Sequence, residues 1–280
     1  MAYADVLPDT TPKYEFKGIQ HLLQIVEGLE EQDEECEGYM EGYMESRNPY
    51  IIFTIDERSF LDCLENPEAR SLRQSCECYD PSINELLVKI MESPPHAQGI
   101  FAFTKMFHAW QGPDNENYPL GDTGATLFRG TSNTKKRADC SWRPEHSGLD
   151  RKWPTIVVEV VYSEGPAKMI EDVKFWLNAC NGQVNIVLTV NIHERTGNIS
   201  IEQWKMGART PFPVQKLEIR RNPGPKCEKI QGRSMRFSFE EIHLRPKGPN
   251  DTDFVISHRD IEKLAVKVWR QQDREEHRSR

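Results

Sequence analysis

Two acidic residues in the second half of the sequence are spaced so that they could hold a metal ion. Glu159 is the single charge in the apolar run Trp153 to Val161, and burying an unpaired acid there is costly. Asp139 lies twenty residues upstream, at the end of a neighbouring strand candidate. Carboxylates that converge from adjacent strands form an oxygen site suited to Mg²⁺ or Mn²⁺. The alternative is that the strand ends near Glu159, where sheets become polar.

Hydrophobic periodicity predicts the main elements around these acids. Trp153 to Val161 is apolar on both faces and predicts a central strand. An amphipathic stripe after it predicts a helix that ends at Asn181-Gly182. Ser93 to His96 predicts the start of an earlier helix, because a capping serine precedes two prolines. Behind it, apolar side chains recur at helical spacing: Ile100, Phe103, Phe107 and Trp110.

Shorter apolar runs predict further strands and complete the fold class. These runs are Tyr50 to Ile55, Leu86 to Met91, Ala125 to Thr131, Val184 to Val190 and Ile199 to Trp204. Near the end of the chain, Ser257 with Asp260 predicts the cap of a last amphipathic helix. The order of elements predicts an α/β fold, bordering on α+β, in which helices flank a mixed β-sheet.

Acidic residues concentrate near the start of the chain. Residues 27–46 contain nine acids and no Lys or Arg, although the net charge of the whole chain is only −8. A short tandem copy of Glu-Gly-Tyr-Met lies in the same segment, Glu37 to Glu45, and such a composition is typical of flexible chains. We therefore predict an acidic, flexible N-terminal tail over residues 1–48, a domain over 49–270 and a charged C-terminal end over 271–280.

Basic residues concentrate near the other end. Lys205 to Arg236 contains nine Lys or Arg and two acids, so this segment could bind a polyanion for which the acidic tail competes. The alternative is a solvated loop that crosses the sheet. Prolines favour that alternative because they favour irregular structure: Pro211, Pro213, Pro223 and Pro225.

Several classes of protein are not expected from this sequence. Apolar runs stay well short of the ~18 residues of a membrane-spanning helix, and the first residues lack the features of a signal peptide. Seven cysteines show no zinc-ligand spacing. We therefore expect an intracellular protein, nuclear or cytoplasmic, that does not bind a membrane.

One motif resembles the signature of the PD-(D/E)XK nuclease superfamily, the fold of restriction endonucleases. It consists of Ala138-Asp139 and, twenty residues later, Glu159-Val160-Val161, on elements in the order strand, strand, helix. Over residues 75–270, further motifs are similar to a family of fungal proteins related to bacterial Uma-type restriction endonucleases, among them Ser93 to His96 and Arg137 to Pro144. The resemblance implies a restriction-endonuclease-like fold, Mg²⁺ or Mn²⁺ bound by Asp139 and Glu159, and hydrolysis of phosphodiesters in DNA or RNA by an activated water. Whether the chain forms a homodimer is left open by the sequence.

The signature of that superfamily carries a lysine where this chain has Val161. In the superfamily this lysine helps to position the attacking water and stabilises charge on the phosphate. On the next helix, Lys168 and Lys174 are the candidates to replace it. Closeness to the strand end favours Lys168, whereas helical periodicity favours Lys174, and of the two we favour Lys168. The alternative is a solvated helix charge, with Lys168 paired to Asp172 at i, i+4.

Two more residues are accessory candidates. His96 begins the helix that, in the superfamily, often lends an acid to the metal site, and Ser163 in the loop after the strand could bind a phosphate. Their structural alternatives are a partly exposed histidine and a helix cap. The sequence thus supports two functions: a Mg²⁺-dependent nuclease, or an inactive nuclease-fold protein that binds protein or nucleic acid, which Val161 favours.

Overall fold

The structure, a computed structural model, describes residues 5–36, 49–67, 70–111, 120–124, 126–145, 150–162, 165–225 and 227–278. The helices in these ranges are α1 Ile19–Cys36, α2 Glu57–Glu65, α3 Arg70–Ser75, α4 Pro94–Gln111, α5 Pro166–Asn178, α6 Phe239–His243 and α7 His258–Arg278. The strands are β1 Lys13–Glu15, β2 Tyr50–Thr54, β3 Cys76–Asp80, β4 Glu85–Lys89, β5 Leu120–Asp122, β6 Phe128–Arg129, β7 Lys135–Lys136, β8 Cys140–Pro144, β9 Ile156–Val161, β10 Ile186–Ile192, β11 Ile199–Met206, β12 Pro211–Ile219, β13 Ile230–Gln231, β14 Met235–Phe237 and β15 Phe254–Ile256. None of these helices is both long and apolar enough to cross a membrane.

The fold is mixed α/β, and its strands form more than the single sheet expected. A seven-stranded sheet has the order β13-β12-β11-β10-β9-β8-β5, with β9 and β10 parallel and the other neighbours antiparallel. A six-stranded sheet has the order β1-β2-β4-β3-β7-β6, and β14 pairs with β15. The strands of the six-stranded sheet bury a separate apolar cluster, which includes Ile51, Phe53 and Val88.

The predicted central strand is confirmed as β9, and its two faces bury different helices. Val158 and Val160 point into the cluster that contains Phe103 of α4, and α7 packs on α4. Val157 points to the opposite face, where it joins Trp176 of α5. Because side chains alternate along a strand, Glu159 shares the face of Val157 and not that of Val160. The side chain of Glu159 therefore points to the face of the sheet that α5 covers.

Part of the segment predicted as a flexible tail, residues 1–48, forms regular structure. β1 pairs in parallel with β2, and α1 buries Leu22 and Val26 against the six-stranded sheet. These two apolar residues stand four apart, which places them on one face of a helix. The acidic repeat Glu37 to Glu45 lies outside the described residues. Likewise the predicted charged end, residues 271–280, continues α7 as far as Arg278, with Gln272 buried.

Other local predictions can be compared with the structure directly. The cap of the last helix is confirmed, since the Ser257 backbone N–H donates to Asp260 Oδ2 over 3.0 Å and the Asp260 N–H donates to Ser257 Oγ over 3.3 Å. The proposed strand over 125–131 is confined to β6. The proline-rich segment is not a loop throughout, because β12 runs through Pro211 and Pro213 as a nine-residue strand. Pro213 is accommodated at an irregularity of the ladder next to Trp204.

Candidate functional site

Asp139 lies immediately before β8 and next to β9 in the larger sheet. Its Oδ2 accepts a hydrogen bond from the Val160 backbone N–H over 2.8 Å, which fixes the carboxylate beside the strand. The side chain is 11% exposed and lines an open cavity of about 430 Å³. A carboxylate held by one backbone donor and facing a cavity keeps acceptor positions for other groups.

Three side chains from β4 and the start of α4 meet Asp139 at this cavity. Lys89 is the last residue of β4, Glu92 lies in the following turn and His96 is in the first turn of α4. His96 Nε2 is 3.4 Å from Asp139 Oδ2 and 3.1 Å from Lys89 Nζ, while His96 Nδ1 is 3.0 Å from Glu92 Oε1. Lys89 Nζ is also 3.7 Å from Asp139 Oδ1. We call Lys89, Glu92, His96 and Asp139 the cavity cluster.

The carboxylates of the cavity cluster favour the charged form of His96. Burial opposes that form, but the charge of Asp139 and the contact with Glu92 outweigh it and raise the pKa of His96 to about 9. Burial would raise the pKa of Asp139, yet Lys89 and His96 hold it well below its usual value. His96 also lowers the pKa of Glu92. The cavity cluster thus places two carboxylates beside a lysine and a histidine, and the carboxylates favour the charged form of the histidine although Lys89 opposes it.

The cavity cluster has the ligand types and the spacing that a divalent ion needs. Within the described part of the chain, Glu92, His96 and Asp139 form the one set of three potential ligands whose atoms all lie within 4.8 Å of one another. Ligand bonds of about 2.0 to 2.2 Å place neighbouring ligand atoms about 3 to 3.5 Å apart. Among the described residues, buried His96 Nδ1 finds no acceptor in regular hydrogen-bond geometry, although Glu92 Oε1 is close. These three side chains could hold a metal ion if their ligand atoms drew closer together than the 4.8 Å that spans them here.

The chemistry of the ligands bears on which ion would bind. Carboxylate ligands suit Mg²⁺ and Mn²⁺, whereas an imidazole ligand is best suited to Zn²⁺, Cu²⁺, Fe²⁺ or Ni²⁺. The cavity also offers donors for an anion, because polar and basic residues surround its mouth. These are Gln74, Ser75, Lys89 and Arg137.

Glu159 belongs to a different group of charged side chains. The Trp176 indole N–H donates to Glu159 Oε1, and Lys136 Nζ lies 3.5 Å from the same oxygen. The carboxylate thus points toward α5 and β7, as expected from the face of β9 that it shares with Val157. The pair of Asp139 and Glu159 as metal ligands stays a prediction, and the structure gives each acid its own set of partners.

Alternating charges surround Glu159 in the interior. Lys136 Nζ lies 2.8 Å from Glu77 Oε1 and 3.0 Å from Asp172 Oδ1, and Lys168 Nζ lies 2.7 Å from Asp172 Oδ2 and 3.4 Å from Glu77 Oε1. We call Glu77, Lys136, Glu159, Lys168 and Asp172 the buried network. Its members come from β3, β7, β9 and α5, so it ties the two large sheets to one helix.

The buried network contains one acid more than it has lysines. Burial raises the pKa of Glu159 well above its ordinary value, despite the nearby Lys136. Burial acts in the same direction on Glu77, but Lys136 and Lys168 outweigh it and lower the pKa of that carboxyl. A neutral Glu159 leaves two lysines facing two carboxylates, which removes the excess charge from the interior.

The lysine candidates occupy different environments. Lys168 pairs with Asp172 as the alternative predicted, but it is buried and not solvated, and it lies over the ring of Tyr50 at 4.7 Å from its centroid. Lys174 pairs with Glu171 near the surface. Neither lysine lines the cavity, and Ser163 lies outside the described residues. Of the predicted site residues, the structure brings Asp139 and His96 together in the cavity cluster, and Glu159 and Lys168 together in the buried network.

Sequence reasoning missed Lys89 and Glu92. Glu92 stands four residues before His96, a spacing that brings side chains together on a helix, but Glu92 precedes the helix and was read only as the end of a strand. Lys89 gave a weaker signal, because a lysine at the end of a strand is ordinary. The seven residues between Lys89 and His96 match neither helix nor strand spacing, so the sequence gives no sign of their contact.

Five of the nine basic side chains in residues 205–236 pair with acidic side chains. Lys216 pairs with Glu202, Arg220 with Glu218, Arg221 with Asp273, Lys229 with Glu262 and Arg236 with Asp253. Lys226 lies outside the described residues. Such pairing reduces the positive field that a polyanion would meet, so this surface is a weaker candidate for binding than its composition predicted.

A scan against protein-family models gives no match. A search of curated proteins gives no match either.

Proposed function

We propose that this chain is a metal-dependent phosphodiester hydrolase acting on nucleic acid, with Glu92, His96 and Asp139 as its metal ligands. The observation that carries the proposal is the convergence of these three ligand atoms at the mouth of an open cavity. The strand, strand, helix order of β8, β9 and α5, with Asp139 before the first of these strands, agrees with the resemblance to the nuclease superfamily. Two of the three ligands are carboxylates, which suit both ions, and Mg²⁺ demands the stricter geometry and dehydrates reluctantly, so we propose Mn²⁺ as the preferred ion.

The residues of the cavity have separate tasks in this proposal. A bound divalent ion supplies positive charge that stabilises the developing charge of the reacting phosphate. Asp139 keeps its position through the Val160 N–H, so its geometry is fixed before a ligand arrives. Arg137 at the rim offers a planar, doubly donating group that matches a phosphate.

A cleavage assay with purified full-length chain tests the proposal. Labelled single- and double-stranded DNA and RNA are incubated with Mn²⁺ or Mg²⁺, and we expect cleavage that is faster with Mn²⁺. Asp139→Asn and His96→Asn should each lower the rate at least a hundredfold, since each removes a metal ligand. Glu159→Gln should keep most of the rate. Cleavage that survives in Asp139→Asn would identify a contaminating nuclease and contradict the proposal.

The second candidate is a nuclease-fold protein that binds nucleic acid without cutting it. Two observations support it. Glu159 has Lys136 and Trp176 as partners. Val161, which is buried, stands where the signature has a lysine. If this candidate is correct, wild type binds Mn²⁺ and nucleic acid but cleaves no substrate. Binding of nucleic acid would then be unchanged in Asp139→Asn, a result that separates the two functions.

A further inference from the structure

Lys89 lies among the atoms that would ligate a metal ion. Its Nζ is 3.1 Å from His96 Nε2, 3.7 Å from Asp139 Oδ1 and 3.9 Å from Glu92 Oε1. The side chain is 8% exposed, so water screens its charge poorly. An ammonium group therefore stands close to every member of the ligand set.

A divalent ion and this ammonium group cannot both be stable in so small a space. Their repulsion at contact distance is strong, because burial lowers the effective dielectric constant. The lysine side chain has four rotatable carbons and a compact charge, so it can turn without movement of β4. The cavity offers it an exit, since Lys89 and Arg137 both line that space.

We propose that Lys89 couples metal binding to phosphate binding in this site. In the metal-free protein its ammonium group holds the cation position between Glu92, His96 and Asp139. When a divalent ion binds, Lys89 turns into the cavity and, together with Arg137, holds the phosphate group of a nucleotide. This inference rests on the metal site of the proposed function but does not require that the chain cleaves its ligand.

The coupling has a thermodynamic consequence that can be measured. A phosphate that draws Lys89 into the cavity makes the metal site easier to fill, and the metal in turn favours the phosphate by the same factor. Direct contact between metal and phosphate would also couple the two ligands, but it would do so without Lys89. Removal of the ammonium group therefore distinguishes the two causes.

Calorimetric titration of Mn²⁺ into the full-length chain, with and without deoxythymidine monophosphate, provides the test. We expect Lys89→Met to bind Mn²⁺ at least tenfold more tightly than wild type, because the competing cation is gone. Lys89→Arg keeps the charge and should bind Mn²⁺ as weakly as wild type. Lys105→Met removes an exposed lysine of α4 and should change Mn²⁺ affinity less than twofold. Lys89→Gln is a second neutral variant, used if Lys89→Met does not fold by circular dichroism.

The nucleotide arm separates coupling from simple competition. In wild type, saturating nucleotide should tighten Mn²⁺ binding at least threefold, and in Lys89→Met it should have no effect. Arg137→Met should weaken nucleotide binding but leave Mn²⁺ affinity in the absence of nucleotide unchanged.

Each contrary result overturns a definite part of these ideas. Equal or weaker Mn²⁺ binding by both neutral variants would refute the role of Lys89 and leave the proposed function standing. Coupling that persists in Lys89→Met would assign it to direct contact between metal and phosphate. A third outcome separates the two proposals. If Lys89→Met binds Mn²⁺ more tightly and loses the coupling while wild type cleaves no substrate, the role of Lys89 is supported and the proposed hydrolase function is refuted.

Discussion

The buried network and the cavity cluster both pair lysines with carboxylates, but they differ in how far solvent and ligands can reach them. In the buried network every side chain is at most 5% exposed, and lysines alternate with carboxylates at contact distance. In the cavity cluster Glu92 is 45% exposed and Asp139 faces open space. A closed set of charges stabilises one packing arrangement, whereas an open set with unfilled acceptor positions is available to a ligand.

The difference also shows why two acids that are linked in the sequence separate in the fold. Cys140 of β8 is opposite Val158 of β9, so Asp139 and Glu159 lie at the same level of the sheet. Asp139 accepts the Val160 N–H and faces the cavity, while Glu159 points toward Trp176 on α5. Position along the strands brings the two residues near each other, and side-chain direction gives them different partners.

The largest expected effect comes from opening the buried network. Lys136→Met leaves Glu77 and Asp172 with less compensation in the interior, and we expect the free energy of unfolding to fall by about 3 to 5 kcal/mol. Lys174→Met removes a surface partner of Glu171 and should cost less than about 1 kcal/mol. Urea denaturation followed by tryptophan fluorescence measures both. Similar losses in the two variants would mean that the network contributes no more than a surface ion pair.

Metal binding should depend on the cavity cluster alone. His96→Asn and Asp139→Asn should each weaken Mn²⁺ binding at least tenfold, an effect of about 1.4 kcal/mol or more. Glu159→Gln is the matched control, because it makes the same change from carboxylate to amide as Asp139→Asn, one strand away. Calorimetry measures all three. Loss of Mn²⁺ binding in Glu159→Gln would restore Asp139 and Glu159 as the metal pair and remove the distinction between the two groups of charges.

The raised pKa of Glu159 predicts how the stability of the network depends on pH. The folded protein holds the Glu159 proton more tightly than the unfolded chain, so this contribution to stability is complete below the unfolded pKa, near 4.5, and is lost as pH rises. Glu159→Gln mimics the neutral acid and should lack this loss. Relative to the variant, wild type should become less stable with rising pH, by up to about 1.4 kcal/mol per pH unit. Parallel stability curves would show that Glu159 is ionised in the folded protein.

Local patterns in the sequence predicted elements better than they predicted the site. The strand β9, the helix α4 behind Ser93 and the cap at Ser257 follow from periodicity and capping, which act over a few residues. The second sheet was not predicted as such: β3 and β4 pair as neighbouring segments, but the pairing of β3 with β7 and of β1 with β2 joins segments far apart in the chain. Asp139 and His96 were recognised as chemical candidates. Lys89 and Glu92 lie within seven residues of His96, and it is the meeting of these side chains with Asp139 that depends on long-range contacts.

The smallest expected effect concerns nucleic acid and compares the cavity with the basic segment. Arg137 lines the cavity, and among the described residues the structure gives its side chain no carboxylate within ion-pair distance. Arg236, by contrast, is paired with Asp253 at 3.1 Å. Each phosphate contact releases counterions, so losing one contact should lower the slope of log affinity against log salt by about 0.9 on duplex DNA. We expect that decrease for Arg137→Met and a change below about 0.3 for Arg236→Met, measured by fluorescence anisotropy across a salt series. A larger decrease for Arg236→Met would place the nucleic acid on the basic segment, outside the cavity.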